Sequence, residues 1–186
     1  MNRAYIIFRF IFFWLRAKNL HGIHSPFVYK LTRDCIYDKK NKNIPEKLSP
    51  KEKGANQDKL ILRIIEYFEL NKIYFNEELD EKLKNILSHK KIKKLTNVNN
   101  LNIHNSSILI IKKLDNYNYK KLIKIINSCS SKTIIIVKDL QKSKNYISNW
   151  NNLILSEKIK LSMEIFNLGI LFFKSRQQKE HFRIRP

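Results

Sequence analysis

Apolar positions along this chain fall into three rhythms. Residues 5–15 read Tyr-Ile-Ile-Phe-Arg-Phe-Ile-Phe-Phe-Trp-Leu, apolar on every side of a helix except at Arg9. Residues 58–70 place Leu60, Ile61, Ile64, Ile65 and Phe68 on one helical face. Beyond them, short apolar runs alternate with helical stretches. Residues 72–75, 107–111 and 133–137 read as strands, the last two as strands buried on both faces. Residues 79–87, 117–129 and 145–155 read as helices. Residues 158–166 and 169–174 form a terminal strand pair around a turn at Asn167-Leu168-Gly169, and residues 182–185 a last edge segment. Strand–helix alternation ending in a hairpin predicts an α/β fold, with a mainly parallel sheet and an antiparallel C-terminal hairpin behind N-terminal helices.

Punctuation sharpens this outline. Ser25-Pro26 places a capping residue and a first-turn proline before a helix over residues 26–37. Residues 39–55 are polar, with Pro45, Pro50 and Gly54, and read as a loop. Residues 1–56 therefore form a helical N-terminal segment with a polar loop, and 57–186 an α/β domain. The most informative punctuation is missing. No glycine occurs among the 114 residues between Gly54 and Gly169, where average usage would put roughly eight. Folds of this class hold cofactors on glycine turns, because a residue without Cβ lets the backbone approach a ligand.

The first apolar run is too short for a transmembrane helix, which needs about 20 apolar residues. Arg16-Ala-Lys-Asn follows it, unlike a signal-peptide cleavage site. Because apolar residues surround the helix, burial against the domain or a second copy is the expectation. An interfacial helix, with aromatics at the acyl boundary and arginines near headgroups, is the other reading.

The net charge of +21 suggests a polyanion partner. However, 29 Lys, 21 Asn and 28 Ile share codons built almost wholly of A and T, so base-composition drift accounts for much of the charge. Only 8 residues are Arg, the side chain suited to bidentate phosphate contacts. Salt-dependent polyanion binding is still expected. Cys35 and Cys129 make no disulfide framework, which implies a reduced, cytoplasmic setting, with a peripheral membrane contact through the first helix left open. The five histidines show no metal-ligand spacing, and Pro26 keeps His21 and His24 off one continuous helix.

Residues 18–31, Lys-Asn-Leu-His-Gly-Ile-His-Ser-Pro-Phe-Val-Tyr-Lys-Leu, resemble the N-terminal signature of a Bacteroidetes family of class I S-adenosylmethionine-dependent methyltransferases. Residues 168–173 and 178–185 resemble the family's last hairpin and tail, and residues 62–68 the helix before its first strand. The resemblance implies a Rossmann-like class I methyltransferase fold. In that family the first strand ends in an acidic residue and a glycine turn around the cofactor. The aligned residues here are Asn76, Glu77 and Glu78, running on to Glu81 with no glycine. Only 19 residues (88–106) replace the strand, helix and strand that relatives use to hold adenosine. An acidic residue after the fourth family strand becomes Lys112-Lys113, and an acidic pair after the fifth becomes Lys138-Asp139.

Together these departures imply a reduced, degenerate member that neither binds S-adenosylmethionine nor transfers a methyl group. The cofactor would return only if the family activity is retained. The alternative is a basic, non-catalytic scaffold or interaction protein: a homodimer through the first helix, or a binder of anionic membrane or nucleic acid. Candidate catalytic residues are His21, His24 and Asp139. An imidazole can accept a substrate proton near neutral pH, although His21 and His24 also suit a turn that docks the first helix through buried hydrogen bonds. Asp139 either caps a helix or meets a substrate cation. Tyr117 and Tyr119, interleaved with Lys112, Lys113, Lys120, Lys121 and Lys124, suit either nucleic acid or a solvated helix face. No metal site is expected.

Overall fold

The computed structural model describes residues 3–38, 55–76, 87, 91–94, 107–173 and 178–186, with residues 3, 55 and 91–94 followed by backbone alone. Its centre is a pair of parallel strands, β3 (Ser107–Ile111) and β4 (Thr133–Val137), buried at every position. Unbroken β-branched runs suit strands covered on both faces, and here both faces are covered. β1 (Lys72–Phe75) pairs in parallel with β3, and β2 (Lys91–Lys94) in parallel with β1. On the other side, β6 (Leu168–Phe172) runs antiparallel to β4 and pairs with β5 (Leu161–Ile165) as a hairpin. β7 (Glu180–Arg183) adds a parallel edge to β5. The described strands thus form one mixed sheet in the order β2-β1-β3-β4-β6-β5-β7.

Alternation along each strand sorts side chains into two cores. Ile108, Ile110, Ile134 and Ile136 face α2 (Pro26–Leu31) and α3 (Ala55–Tyr67), joined by Ile73, Met163 and Ile170. Leu109, Ile111, Ile135 and Val137 face α4 (Asn116–Ser128) and α5 (Lys144–Ile154), with Trp150 at that centre. Asp115 caps α4 through the Asn118 amide at 2.8 Å, and Ser143 caps α5 through the Tyr146 amide at 3.1 Å.

The α/β reading and its strands 72–75, 107–111 and 133–137 match the structure. Four expectations need correction. β2 lies inside the 88–106 stretch, where Lys-Ile-Lys-Lys gives almost no apolar signal. The β5–β6 turn falls at Phe166-Asn167 rather than at Gly169, which lies within β6. Ser25 sits at the cap position of α2, but its buried hydroxyl makes no cap hydrogen bond, and Pro26 alone starts the helix. The helix over 26–37 turns π-helical at Thr32–Ile36. The expected helix over 79–87 (bar a buried Leu87) and the loop before α3 lie outside the described residues.

The first helix, α1 (Arg3–Arg16), also differs from expectation. Phe13 is its one buried large apolar side chain, while Ile7, Phe8, Ile11, Phe12, Trp14 and Leu15 face outward. Within one chain, burial is therefore confined to a single stripe. Phe10 and Phe13 pack edge-on against Phe166 at ring separations of 5.0 and 5.6 Å. Among the described residues, no helix is long and apolar enough to cross a membrane.

The scarcity of glycine leaves its mark on the turns. Glu69, Asp139 and Phe166 adopt φ of 51°, 55° and 47°, a left-handed region in which a Cβ crowds the backbone. For a residue as bulky as Phe166 this is an outlier, held by the two phenylalanines of α1. Gly169 is required for a different reason. A Cβ there would lie 2.5 Å from Cη2 and Cζ3 of the buried Trp150 ring. Gly169→Ala should cost about 1–3 kcal/mol through overpacking, measured by urea denaturation. Combining it with Trp150→Leu should cost less than the sum of the two single changes; strict additivity would contradict the packing account.

Candidate functional site

Chain order reverses at β1. From there the chain goes outward to β2 and then crosses back to β3 on β1's other side. In open α/β sheets, ligands bind outside the carboxyl ends of the strands at such a reversal. The described groups gathered there are Asn76 after β1, Lys112 and Lys113 after β3, and Lys138 and Asp139 after β4.

Asn76 ties two of these strand ends together. Its side-chain oxygen accepts the Lys112 amide at 2.9 Å, and its Nδ2 donates to the Lys113 carbonyl at 3.2 Å. Its own amide donates to the Ile110 carbonyl at 3.3 Å. One short amide side chain thus spans the gap between the β1 and β3 exits. Glu77 and Glu78 lie outside the described residues.

At the end of β4, charge decides the arrangement. Lys138 is buried, and its ammonium lies 2.5 Å from Asp58 Oδ1 in the first turn of α3. A buried cation is tolerated only when paired. Beside it, Gln57 brackets Asp139: Gln57 Nε2 donates to Asp139 Oδ1 at 2.9 Å, and the Asp139 amide donates to Gln57 Oε1 at 3.2 Å. Asp139 precedes the short 3₁₀ turn Leu140–Lys142, but its side chain caps nothing. The helix-cap expectation for this residue is therefore corrected: its carboxylate is engaged by α3. Just beyond it, Gln141 ties this end to the hairpin turn and to α1. It donates to Asn167 Oδ1 and the Phe166 carbonyl, and accepts from Arg9 at 2.7 Å.

His21 and His24 are exposed, so the expectation that they make buried hydrogen bonds is corrected. The docking role belongs to their neighbours. Ile23, Val28 and Leu31 enter the α2–α3 core. Lys18 forms a parallel bridge to Ile184, donating its amide to the Arg183 carbonyl at 2.7 Å and accepting from Arg185 at 3.1 Å. A Cβ on Gly22 would meet Lys18 at an ordinary 3.5 Å, so no crowding demands glycine there. Among the described residues, no three His, Cys, Asp or Glu side chains converge as a metal site would require, and His21, His24 and Asp139 form no such group. Tyr117 is exposed with Lys121 Nζ 4.2 Å from its ring centre, whereas Tyr119 packs on the α4–α5 core. Only one of the two tyrosines is thus presented to solvent as an open ring. Burial pushes the Cys35 and Cys129 thiols up to about 12, which disfavours the reactive thiolate.

One polar cluster escaped the sequence. Ser162 on β5 faces His181 on β7, with Oγ 2.9 Å from Nδ1, and Glu164 Oε2 lies 3.8 Å from His181 Nε2 and 3.4 Å from Arg183. A Ser-His-Glu trio invites a hydrolase reading, but the geometry opposes it. Ser162 is 2% exposed, leaving no approach for a substrate carbonyl, and 3.8 Å exceeds a hydrogen bond. The signal available was period-two spacing, Ser162/Glu164 against His181/Arg183, which carries meaning only once the strands are known to pair.

Comparison with family models, curated proteins and solved structures yields no match to this chain. Its chemistry must therefore be read from the groups themselves.

Two predictions follow from the buried charges. Lys138→Met should destabilise the fold by about 1.5–3 kcal/mol by removing the charge-assisted bond to Asp58, and Asp58→Leu added to it should restore part of that loss. A double variant as unstable as the single one in urea would contradict the pairing. Burial, helped by Arg183, pushes His181 from an ordinary 6.5 down to about 4. Between those values the unfolded chain binds a proton that the folded imidazole refuses, so this contribution is lost as pH falls through the window. Burial raises the Glu164 pKa despite Arg183, so its contribution runs the other way and is lost as pH rises. The stability advantage of the parent over His181→Asn should shrink by on the order of 2 kcal/mol between about pH 7 and about pH 4.5. A constant difference in urea midpoints would contradict a half-buried imidazole kept neutral.

Proposed function

We propose that this chain is a non-catalytic, degenerate relative of class I S-adenosylmethionine-dependent methyltransferases, with the ligand crevice replaced by internal contacts. The observation that carries the reading is the Asn76 bridge. The family resemblance aligns Asn76 with the start of the glycine turn around the cofactor, and here its side chain joins the exits of β1 and β3. The sheet order supports it as well. Among the described residues one strand, β2, lies outside β1, where the resemblance implies two, in keeping with a shortened adenosine-binding half.

The described residues at these strand ends do not fit the cofactor. Its methionine end needs open backbone donors, yet the Lys112 amide is already spent on Asn76. A carboxylate able to receive a ribose or a substrate cation is needed near the strand ends. Asp139, the acidic residue described there, is bracketed by Gln57. Hard metal ions want oxygen ligands, and the described carboxylate at these strand ends, Asp139, is already engaged by Gln57. His21 and His24 lie exposed in the turn before α2 and form no group with Asp139.

Calorimetric titration of the full chain with S-adenosylmethionine tests the reading. No heat of binding is expected up to about millimolar cofactor, where ordinary cofactor sites are saturated. Micromolar affinity would overturn it.

A further inference from the structure

The geometry points to α1 as a docking surface for an anionic lipid bilayer. Exposure is unusual in degree: Ile7 is 59% exposed, Phe8 66%, Ile11 53% and Leu15 65%, joined by Phe12 and Trp14. At about 100° per residue these six side chains fill one continuous arc of roughly 160° on the helix. Phe13 lies on the opposite side and Phe10, itself 38% exposed, on the flank, both against Phe166. The Arg9 bond to Gln141 fixes the helix in that orientation. The apolar arc is therefore held outward by the fold, as a surface patch of the kind that marks an interaction site.

Charge selects the occupant. The first acidic residue in the sequence is Asp34, and the 33 residues before it carry six Lys and Arg. Guanidinium groups sit on the apolar arc itself: Arg16 lies 4.0 Å from the centre of the Phe12 ring, and Arg185 lies 4.1 Å from Trp14. Aromatic and aliphatic side chains with flanking arginines match a bilayer interface, where rings enter the acyl boundary and guanidinium groups meet phosphates. A second copy is the poorer match. Pairing two α1 helices would oppose arginines with no carboxylate on either helix, in chains that each carry +21. At about 1.5 Å per residue α1 is about 21 Å long, short of the hydrocarbon core, so it lies in the interface plane.

The inference is independent of the closed crevice and is tested separately. The full chain is mixed with vesicles of phosphatidylcholine containing about a quarter phosphatidylglycerol, and with vesicles of phosphatidylcholine alone, near physiological salt. Co-sedimentation measures binding, and fluorescence of Trp14 reports insertion. Binding to the anionic vesicles with a blue shift is expected, and at least roughly tenfold weaker binding to the neutral ones. The triple variant Phe8→Ser/Phe12→Ser/Leu15→Ser removes only exposed side chains. It should keep the parent circular dichroism and bind anionic vesicles at least roughly tenfold more weakly. Three results would overturn the proposal: no binding to anionic vesicles; equal binding by parent and triple variant, which would mean diffuse surface charge; or a dimer in light scattering that the triple variant converts to monomer, which would mean a second copy covers α1.

Discussion

A lysine ammonium buried at the end of β4 must be neutralised where it lies, and much of this molecule follows from that requirement. Asp58 does it from the first turn of α3, which fixes where the helix begins over the sheet. With α3 held there, Gln57 reaches Asp139 and takes both its amide and its carboxylate. The next residues, through Gln141, grip the β5–β6 turn and Arg9 of α1. One buried pair thus organises the strand ends, the helix above them and the outermost helix. A pair of this kind costs desolvation as well as giving attraction, so its clearest effect is on position rather than net stability.

The second constraint is the lack of glycine. A chain that must turn without it puts ordinary side chains into left-handed conformations or bridges turns with amides, and this one does both. Asp139 and Phe166 are held at positive φ by Gln57 and by the phenylalanines of α1. Asn76 closes the β1 exit with its own amide. Each solution fills, with the protein's own atoms, space or hydrogen-bonding capacity that a glycine turn would leave for a ligand.

Legibility in the sequence tracked burial. β3 and β4 could be read to the residue, because unbroken Ile and Val runs leave little doubt about a doubly covered strand. β2 could not, since Lys-Ile-Lys-Lys contains one apolar residue and its pairing depends on β1. The glycine gap directed attention to residue 76, but the side-chain bridge to residues 112 and 113 is a long-range contact that no local pattern records. Asp58 and Gln57 were invisible for the same reason, as polar residues in the first turn of a helix. α1 could not be resolved because composition does not say which side of an all-apolar helix packs on its own domain. The histidines of the 18–31 segment drew attention as chemistry, while its apolar residues proved to do the docking.

The central claim is that the ends of β1 and β3 are closed by Asn76, and amide hydrogen exchange at Lys112 tests it most directly. The Lys112 amide donates to Asn76 Oδ1, so it should exchange slowly in the free protein, faster in Asn76→Ala, and at an unchanged rate when S-adenosylmethionine is added. Fast exchange in the free protein, or added protection on mixing with the cofactor, would contradict a closed crevice.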